Sequence, residues 1–311
     1  MLTTTPPAQI TDNLLMLGTG AYPLYLFRGK REAAIFEGGT GPMGPLLREQ
    51  LQEQQIPADI VKQVIVTHAH PDHVMAVPLF REMFPGVEIL ASAAAAKTMS
   101  AEKAVSLFCK IDGALTDSLL KAGQIGEQHK PEPLGEMRIA VDRLLKEGDA
   151  VTIEGTAFAV LETPGHSDCS LSFHQPEAGI LIVSDATGYY VPEHDAWWPN
   201  YFGGYDGYLG SMRRLREIGA EILCLSHNAV IQGADEVKGY FDRDIAATEA
   251  YHERIIGEIE SGKTVRRLAE ELGSEIYEKT QLLPLDFFQK NCGVLVKQSL
   301  KREGIDPEEK K

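Results

Sequence analysis

The chain has 311 residues, of which 43% are hydrophobic and 24% are charged, so it can bury a large core and is not expected to be disordered. Lys and Arg total 30 against 45 Asp and Glu, and the net charge of -15 disfavours nucleic acid as a partner. The four cysteines form no CxxC pair, which argues against a disulfide framework and against a cysteine-based zinc site.

The N-terminal residues lack a basic segment followed by an apolar one, and no later apolar run is long enough to cross a bilayer. We therefore expect a cytoplasmic protein that has no membrane partner. The sequence does not fix the oligomeric state, so a homodimer stays open.

The first forty residues alternate short β-rich runs with glycines, which predicts strands and turns. A helix is expected at about residues 44–55, followed by the strand KQVIVT, a helix that begins at Pro78, and the strand VEILAS. A helical insertion at about 98–127 interrupts this alternation. The strand signal then returns in VTIEGTAFAVLET, CSLSFH and AGILIVSD, and a helix at about 209–218 precedes the strand EILCLS.

From about residue 235 the pattern is helical to the end of the chain. We therefore predict a catalytic domain over residues 1–235 and a C-terminal helical extension over residues 236–311. The extension could cap a pocket in the first domain.

Three of the nine histidines and one aspartate lie within six residues of the run VIVTHAHPDH. His68 and His70 stand two residues apart where a strand ends, so extended backbone would turn both side chains to the same side. Asp72 and His73 lie in the following turn, from which they can reach a second ion nearby. Imidazole and carboxylate ligands suit Zn²⁺, and also Fe or Mn, whereas Mg²⁺ and Ca²⁺ prefer oxygen ligands alone. The alternative is a solvated histidine-rich turn without a metal.

Three further polar residues, His166, Asp185 and His227, each follow the end of an apolar strand. Any one of them alone would more often be a turn or capping residue. Together with the histidine run they indicate one constellation of metal ligands.

The motifs THAHPDH, TPGHSD, SDATG and LSHN follow one another over about residues 10–235, and this series resembles the metallo-β-lactamase superfamily. The resemblance implies an α/β fold, an αββα sandwich of two mixed sheets flanked by helices. It also implies two divalent metal ions as cofactors, with Zn expected and Fe or Mn open. The matching ligands are His68, His70 and His166 for one ion, Asp72, His73 and His227 for the other, and Asp185 between both.

Two cations that share a carboxylate can lower the pKa of a water held between them until it supplies hydroxide near neutral pH. We therefore predict a binuclear metallohydrolase in which Asp72 and Asp185 are catalytic, with Asp72 placed to orient the water or carry its proton. Runs such as LASAAAA, GHSDCS and YDGYLGSMRRL are similar to the 2-aminobenzoylacetyl-coenzyme A thioesterase group of the superfamily. This similarity implies a small-molecule acyl thioester, or a related ester, as the substrate.

Other functions remain open because one fold serves many reactions. The alternatives are a lactonase, a hydroxyacylglutathione hydrolase, an iron-dependent persulfide dioxygenase, and a noncatalytic regulatory protein that holds a structural metal.

Four features outside the ligand set also carry expectations. Glu37 either supports a metal ligand or forms a pair in a turn. Cys169 is expected to be a small buried strand residue and not a nucleophile, and His252 a core histidine. The aromatic stretch 189–208 forms either a wall for an acyl group or an interface or core.

Overall fold

The computed structural model describes residues 1–281 and 283–307. Within them, the strands β1 to β16 are Leu2–Thr3, Ala8–Gln9, Leu14–Gly18, Pro23–Arg28, Ala33–Phe36, Val61–Ile65, Glu88–Ser92, Arg143–Leu145, Ala150–Ile153, Thr156–Glu162, Leu171–Gln175, Ile180–Ile182, Tyr189–Val191, Ala196–Trp198, Ile222–Cys224 and Val230–Gln232. The helices α1 to α8 are Met43–Glu53, Val77–Met83, Ala93–Met99, Glu102–Lys121, Tyr205–Glu217, Ala234–Glu260, Val265–Thr280 and Leu285–Arg302.

The first sheet has seven strands in the order β2-β3-β4-β5-β6-β7-β8. Strands β2 to β5 pair antiparallel, whereas β5 to β8 pair parallel. Strands β3 and β5 are buried at every position because both faces of the sheet are covered, which explains their continuous apolar runs.

The second sheet has the order β1-β16-β15-β12-β11-β10-β9, with β12 and β15 parallel and the other pairs antiparallel. Its strands β10, β12 and β15 therefore point the same way, and their carboxyl ends lie at one edge of the sheet. The backbone N–H of Leu171 donates to the carbonyl of Thr67 at 2.8 Å, which joins this edge to the loop after β6 of the first sheet.

Four layers result from the packing of these sheets. Between the sheets, the Phe36 ring lies 4.9 Å from that of Phe158 and 5.3 Å from that of Phe173, within a shared apolar core. Helices α1 to α4 cover the outer face of the first sheet, and α5 and α6 cover that of the second. The predicted αββα sandwich of two mixed sheets flanked by helices is confirmed.

Several short elements differ from the sequence prediction. Helix α5 begins at Tyr205, four residues before the predicted start, because Gly207 and Gly210 weaken the helical pattern there. The hairpin of β13 and β14 and the strand β16 were not predicted, since three residues are too few to show an alternating pattern. Cys169 is half-buried in the turn before β11, so its prediction as a buried strand residue is wrong.

Helices α6 to α8 follow the last strand, as the helical pattern predicts. The far part of α6 packs with α5, α7 and α8 around a separate apolar cluster that includes Ile255, Leu268 and Leu295. Residues 308–311 of the predicted extension lie outside the described residues, and its boundary as a domain stays a prediction. None of the described helices combines the length and apolar character that crossing a membrane requires.

Candidate metal centre

Four loops at one edge of the sandwich carry the seven predicted ligands. The loop after β6 carries the run from His68 to His73, in which Pro71 opens a short 3-10 turn. The loops after β10, β12 and β15 carry His166, Asp185 and His227, one each. The topology of the sheets therefore brings together side chains that are far apart in the sequence.

The structure gathers these side chains into two groups in which potential ligand atoms lie within 4.8 Å of one another. The first group is His68, His70, His166 and Asp185, and the second is Asp72, His73 and His227. All seven predicted residues are thus brought together.

Asp185 stands between the two groups. Its Oδ2 lies 3.3 Å from His166 Nε2 and 3.9 Å from His68 Nε2. Its Oδ1 lies 3.2 Å from His227 Nε2 and 3.8 Å from His73 Nε2. Each carboxylate oxygen therefore faces a different group, the arrangement that a bridging ligand requires.

Hydrogen bonds to the outer ring nitrogens fix the orientation of the histidines. His166 Nδ1 donates to the carbonyl of Asn200 at 2.9 Å, and His227 Nδ1 donates to that of Ala21 at 2.8 Å. Because each Nδ1 carries the proton, Nε2 presents a free lone pair to the centre. His68 Nδ1 lies 2.9 Å from the hydroxyl of Ser184, a neighbour of Asp185.

Glu37 supports His73 directly. Its Oε2 accepts from His73 Nδ1 at 2.8 Å, and its Oε1 accepts from the Thr67 hydroxyl at 2.9 Å. Glu37 is buried and holds a left-handed backbone with φ of 85°, a conformation that non-glycine residues adopt only under constraint. Of the two interpretations of Glu37, the geometry favours support of a ligand.

The first group favours uncharged rings. Burial lowers the pKa of His68 well below its ordinary value, and the neighbouring His73 and His70 lower it further. Burial also lowers the pKa of His70 to about 3. These rings are therefore neutral near neutral pH, and their lone pairs are available to a cation.

The second group and Asp185 attract positive charge. Burial opposes a charge on His73, but Asp72 and Glu37 raise its pKa well above the ordinary value. Burial likewise opposes ionisation of Asp185, yet the imidazoles of His227 and His166 lower its pKa well below the usual range. The carboxylates thus stay ionised, and the centre needs protons or metal cations to balance them.

Two buried polar atoms of the centre lack hydrogen-bond partners in the part of the chain that the structure describes, and this bears on whether a metal fits there. His73 Nε2 and Asp185 Oδ1 have no hydrogen-bond partner among the described residues. A buried polar atom without a partner costs about 1–3 kcal/mol, and a cation bound to both atoms would remove that cost. The nitrogen and oxygen donors of both groups fit divalent cations such as Zn²⁺.

A cavity of about 330 Å³ opens onto this centre, with Asp72, His166 and Asp185 at its floor. Helix α4, the aromatic stretch 189–208 and the segment from the end of α7 into α8 form its wall. The main apolar side chains of the wall are Phe108, Ile111, Leu115, Trp198, Phe202 and Phe288. In the described part of the chain, the lining contains no lysine or arginine.

The aromatic stretch divides between two environments. Tyr189, Trp198 and Phe202 line the cavity, whereas the Trp197 ring packs against Tyr240 at 5.5 Å, away from it. His252 does not line the cavity, is buried, and has its Nε2 3.1 Å from Glu303 Oε1. Tyr22 lines the cavity beside His227 without a prediction from the sequence, because no motif marks it.

The family model of the metallo-β-lactamase superfamily matches residues 17–227, more than half of the chain. The chain belongs to the metallo-β-lactamase superfamily. With the His and Asp cluster in place, it is a metal-dependent hydrolase of that superfamily.

Two curated relatives are weakly similar. A hydroxyacylglutathione hydrolase of Cereibacter sphaeroides is 26% identical over 160 residues, which cover 49% of this chain and 46% of that protein. A hydroxyacylglutathione hydrolase of Fuscovulum blasticum is 27% identical over 123 residues, which cover 40% of this chain and 32% of that protein. The chain thus spans less than half the length of these relatives.

Solved structures share the fold. A metallo-β-lactamase family protein of Thermus thermophilus aligns with a TM-score of 0.63 and 21% identity over 95% of both chains. A stereoselective inverting sec-alkylsulfatase of a Pseudomonas species aligns with a TM-score of 0.60 and 14% identity, over 93% of this chain and 49% of that one. At these identities the likeness establishes the architecture and does not select a substrate.

Proposed function

We propose that this chain is a binuclear metallohydrolase that cleaves an acyl thioester. One observation carries the proposal: seven potential ligand side chains, with Asp185 shared between two groups, lie together beside an apolar cavity that five of them line. We further propose that the chain acts on a small molecule in the cytoplasm, without nucleic acid or membrane as a partner. A homodimer stays a prediction.

In this proposal each of two cations has its own set of ligands. His68, His70 and His166 would hold one, Asp72, His73 and His227 the other, and Asp185 both. Divalent cations, of which Zn²⁺ is expected and Fe or Mn stay open, would supply an activated water and polarise the substrate carbonyl.

Asp72 is the carboxylate that can move a proton. Its side chain is 23% exposed, against 6% for Asp185, so it borders the cavity where substrate and water enter. It can accept a hydrogen bond from the attacking water and receive its proton. Asp185, enclosed by four imidazoles, instead holds the two halves of the centre at a fixed spacing.

The wall of the cavity supports an apolar acyl group. Phe108, Ile111 and Leu115 of α4 face Phe288 of α8 across it, and aromatic and aliphatic side chains take up an uncharged acyl chain by the hydrophobic effect. A thiol leaves as a thiolate without strong acid assistance, which suits a floor made of ionised carboxylates and imidazoles. The similarity to the 2-aminobenzoylacetyl-coenzyme A thioesterase group remains a prediction from sequence runs.

The second candidate is hydrolysis of a hydroxyacylglutathione, which is also a thioester. The weak similarity to two curated hydrolases of that name favours it. Glutathione carries two carboxylates and coenzyme A carries phosphates, and within residues 1–281 and 283–307 the cavity lining offers no lysine or arginine to bind either. The apolar wall instead favours an aryl or alkyl acyl group over a hydroxylated one. We therefore rank an apolar acyl thioester first.

A substrate panel on the metal-loaded protein tests the proposal. The panel holds aryl and alkyl acyl-coenzyme A thioesters, lactoylglutathione, acyl-homoserine lactones and a glutathione persulfide with oxygen. We expect the protein to release free thiol, and we expect an acyl-coenzyme A to give the highest kcat/KM of the panel. Preferred opening of lactones, or oxygen uptake with persulfide and one iron per chain, would overturn it. If an Asp185→Asn variant lost hydrolysis but still produced in cells whatever phenotype the wild-type protein produces, a regulatory role would be supported instead.

A further inference from the structure

Two glycines of the ligand motifs approach the same tyrosine. Gly165, in TPGHSD, has a φ of 128°, and a Cβ added there would lie 2.2 Å from both the N and the Cα of Tyr208. Gly188, in SDATG, has a φ of 64°, and its added Cβ would lie 2.6 Å from the Tyr208 hydroxyl oxygen. Gly165 therefore excludes a side chain because the Tyr208 backbone occupies the space, and Gly188 excludes one because the Tyr208 hydroxyl and the Trp198 carbonyl oxygen, also 2.6 Å away, occupy it.

The backbone around Tyr208 also binds the loop that carries His166. The N–H groups of Gly203 and Gly204, just before α5, donate to the Gly165 carbonyl at 2.8 and 3.0 Å. The Ser211 hydroxyl, in the second turn of α5, donates to the Pro164 carbonyl at 2.7 Å. The start of α5 thus fixes the residues directly before His166.

At its other end, Tyr208 meets the turn that carries Asp185. The Gly188 N–H donates to the Asp185 carbonyl at 3.1 Å and so closes this turn. The Tyr208 hydroxyl thus lies against the residue that closes the turn of Asp185. The Asp185 carboxylate is the one that faces both ligand groups.

Helix α6 fixes the position of the tyrosine from behind. Tyr208 is fully buried, as are Asp244 and Thr248, which stand four residues apart on one face of α6. Burial raises the pKa of the Tyr208 phenol well above its ordinary value, and the nearby Asp244 raises it further. The ring is therefore enclosed by protein and shielded from water.

We propose that Tyr208 is a positioning residue of the metal centre, which sets the spacing between the loop of His166 and the turn of Asp185. The inference rests on the proposed metal centre but not on the choice of a thioester as the substrate. Tyr208 contacts two glycines that belong to separate motifs of the sequence, Gly165 through its backbone and Gly188 through its hydroxyl.

A double-mutant cycle on metal affinity tests the contact between Tyr208 and Gly188. The affinity for Zn²⁺ is measured by chelator competition for the wild type, Tyr208→Phe, Gly188→Ala and the double variant. We expect Gly188→Ala to weaken binding at least about 10-fold, because supporting groups behind metal ligands carry effects of about 10–100-fold. In the Tyr208→Phe background the same change should cost less, although not nothing, since one of the two colliding oxygens is gone while the Trp198 carbonyl remains.

Two further measurements separate positioning from general stability. Tyr251→Phe removes a hydroxyl that donates to Cys292 Sγ at 3.7 Å in the C-terminal helices, and it should leave Zn²⁺ affinity unchanged. Tyr208→Phe should lower the affinity and the kcat several-fold while KM and the melting temperature of the metal-free protein stay close to the wild type.

Equal Zn²⁺ affinity in Tyr208→Phe and Tyr251→Phe would overturn the inference, even if Gly188→Ala failed to fold. The inference would also be overturned if the losses of Zn²⁺-binding free energy in the two single variants simply added up in the double variant. If the wild type itself bound no divalent cation, the proposed function would fail instead, so the two failures are distinguishable.

Discussion

The floor and the wall of the cavity have opposite composition. The floor consists of seven His and Asp side chains on loops at the edge of two sheets, five of them buried and two, His70 and Asp72, half-buried. Four of the imidazoles have a hydrogen bond or close polar contact at the outer ring nitrogen. The wall consists of apolar side chains on helix α4, the aromatic stretch and the C-terminal helices. The chemistry and the choice of substrate thus reside on different elements, and variants of each should be separable.

Removal of the metal should affect the floor most. After chelation we expect complete loss of hydrolysis, with recovery on addition of Zn²⁺, Mn²⁺ or Fe²⁺. Cation bound at 100 times its Kd adds about 2.7 kcal/mol to the free energy of unfolding, so the melting temperature should fall with the activity. Full activity in a preparation that elemental analysis shows to be metal-free would contradict the account.

Asp185→Asn should have the next largest effect. The amide cannot offer two anionic oxygens to two cations, so we expect kcat to fall at least about 100-fold and metal content to drop below the wild-type value. Elemental analysis and steady-state kinetics on the same sample measure both.

The matched control is Asp168→Asn, an exposed aspartate two residues after His166, which should keep wild-type metal content and activity. If Asp185→Asn had the metal content and kcat of the wild type, this carboxylate would not bridge the two cations.

A change in the wall should alter substrate binding and leave the floor intact. Ile111→Ala removes apolar contact inside the cavity, and each methylene lost from a hydrophobic pocket is worth about 10-fold or more in discrimination. We expect kcat/KM for an apolar acyl thioester to fall at least about 10-fold, mostly through KM, at unchanged metal content.

Leu107→Ala is the control on the same helix, because Leu107 is 55% exposed and does not line the cavity. A drop of the same size in both variants, or a loss of metal in Ile111→Ala, would show that wall and floor are not separable.

The smallest expected effect concerns Asp244, behind the centre. Burial raises the pKa of its carboxyl well above the ordinary value, so the folded state holds this proton more tightly than the unfolded chain. The contribution of this carboxyl to the free energy of unfolding is therefore complete at pH values below its pKa in the unfolded chain. It declines as the pH rises from there through its pKa in the folded state. Asp244→Asn has no proton to lose, and its melting temperature relative to the wild type should increase from pH 4 to pH 8. A constant difference across that range would contradict a neutral Asp244.

The sequence predicted the floor far better than the wall. The run from His68 to His73 has a local density of ligands that packing alone does not explain, and His166, Asp185 and His227 each follow a recognisable strand. The wall has no such signal, because Phe108 and Phe288 look like ordinary core residues of amphipathic helices. Only the folded chain, in which α4 and α8 line the same cavity, shows that they face it.

The position of Tyr208 could not be read from the sequence for a related reason. The glycines of TPGHSD and SDATG suggest tight turns, but a turn does not reveal which residue fills the space beside it. The same holds for Ala21 and Asn200, whose backbone carbonyls orient His227 and His166, because a carbonyl leaves no mark on residue type. Such contacts depend on the folded chain alone.

Anomalous diffraction from crystals of the metal-replete protein tests the binuclear centre most directly. The account predicts two peaks roughly 3.5–4 Å apart, one beside His68, His70 and His166 and the other beside Asp72, His73 and His227, with Asp185 between them. A single peak, or two peaks without Asp185 between them, would contradict it.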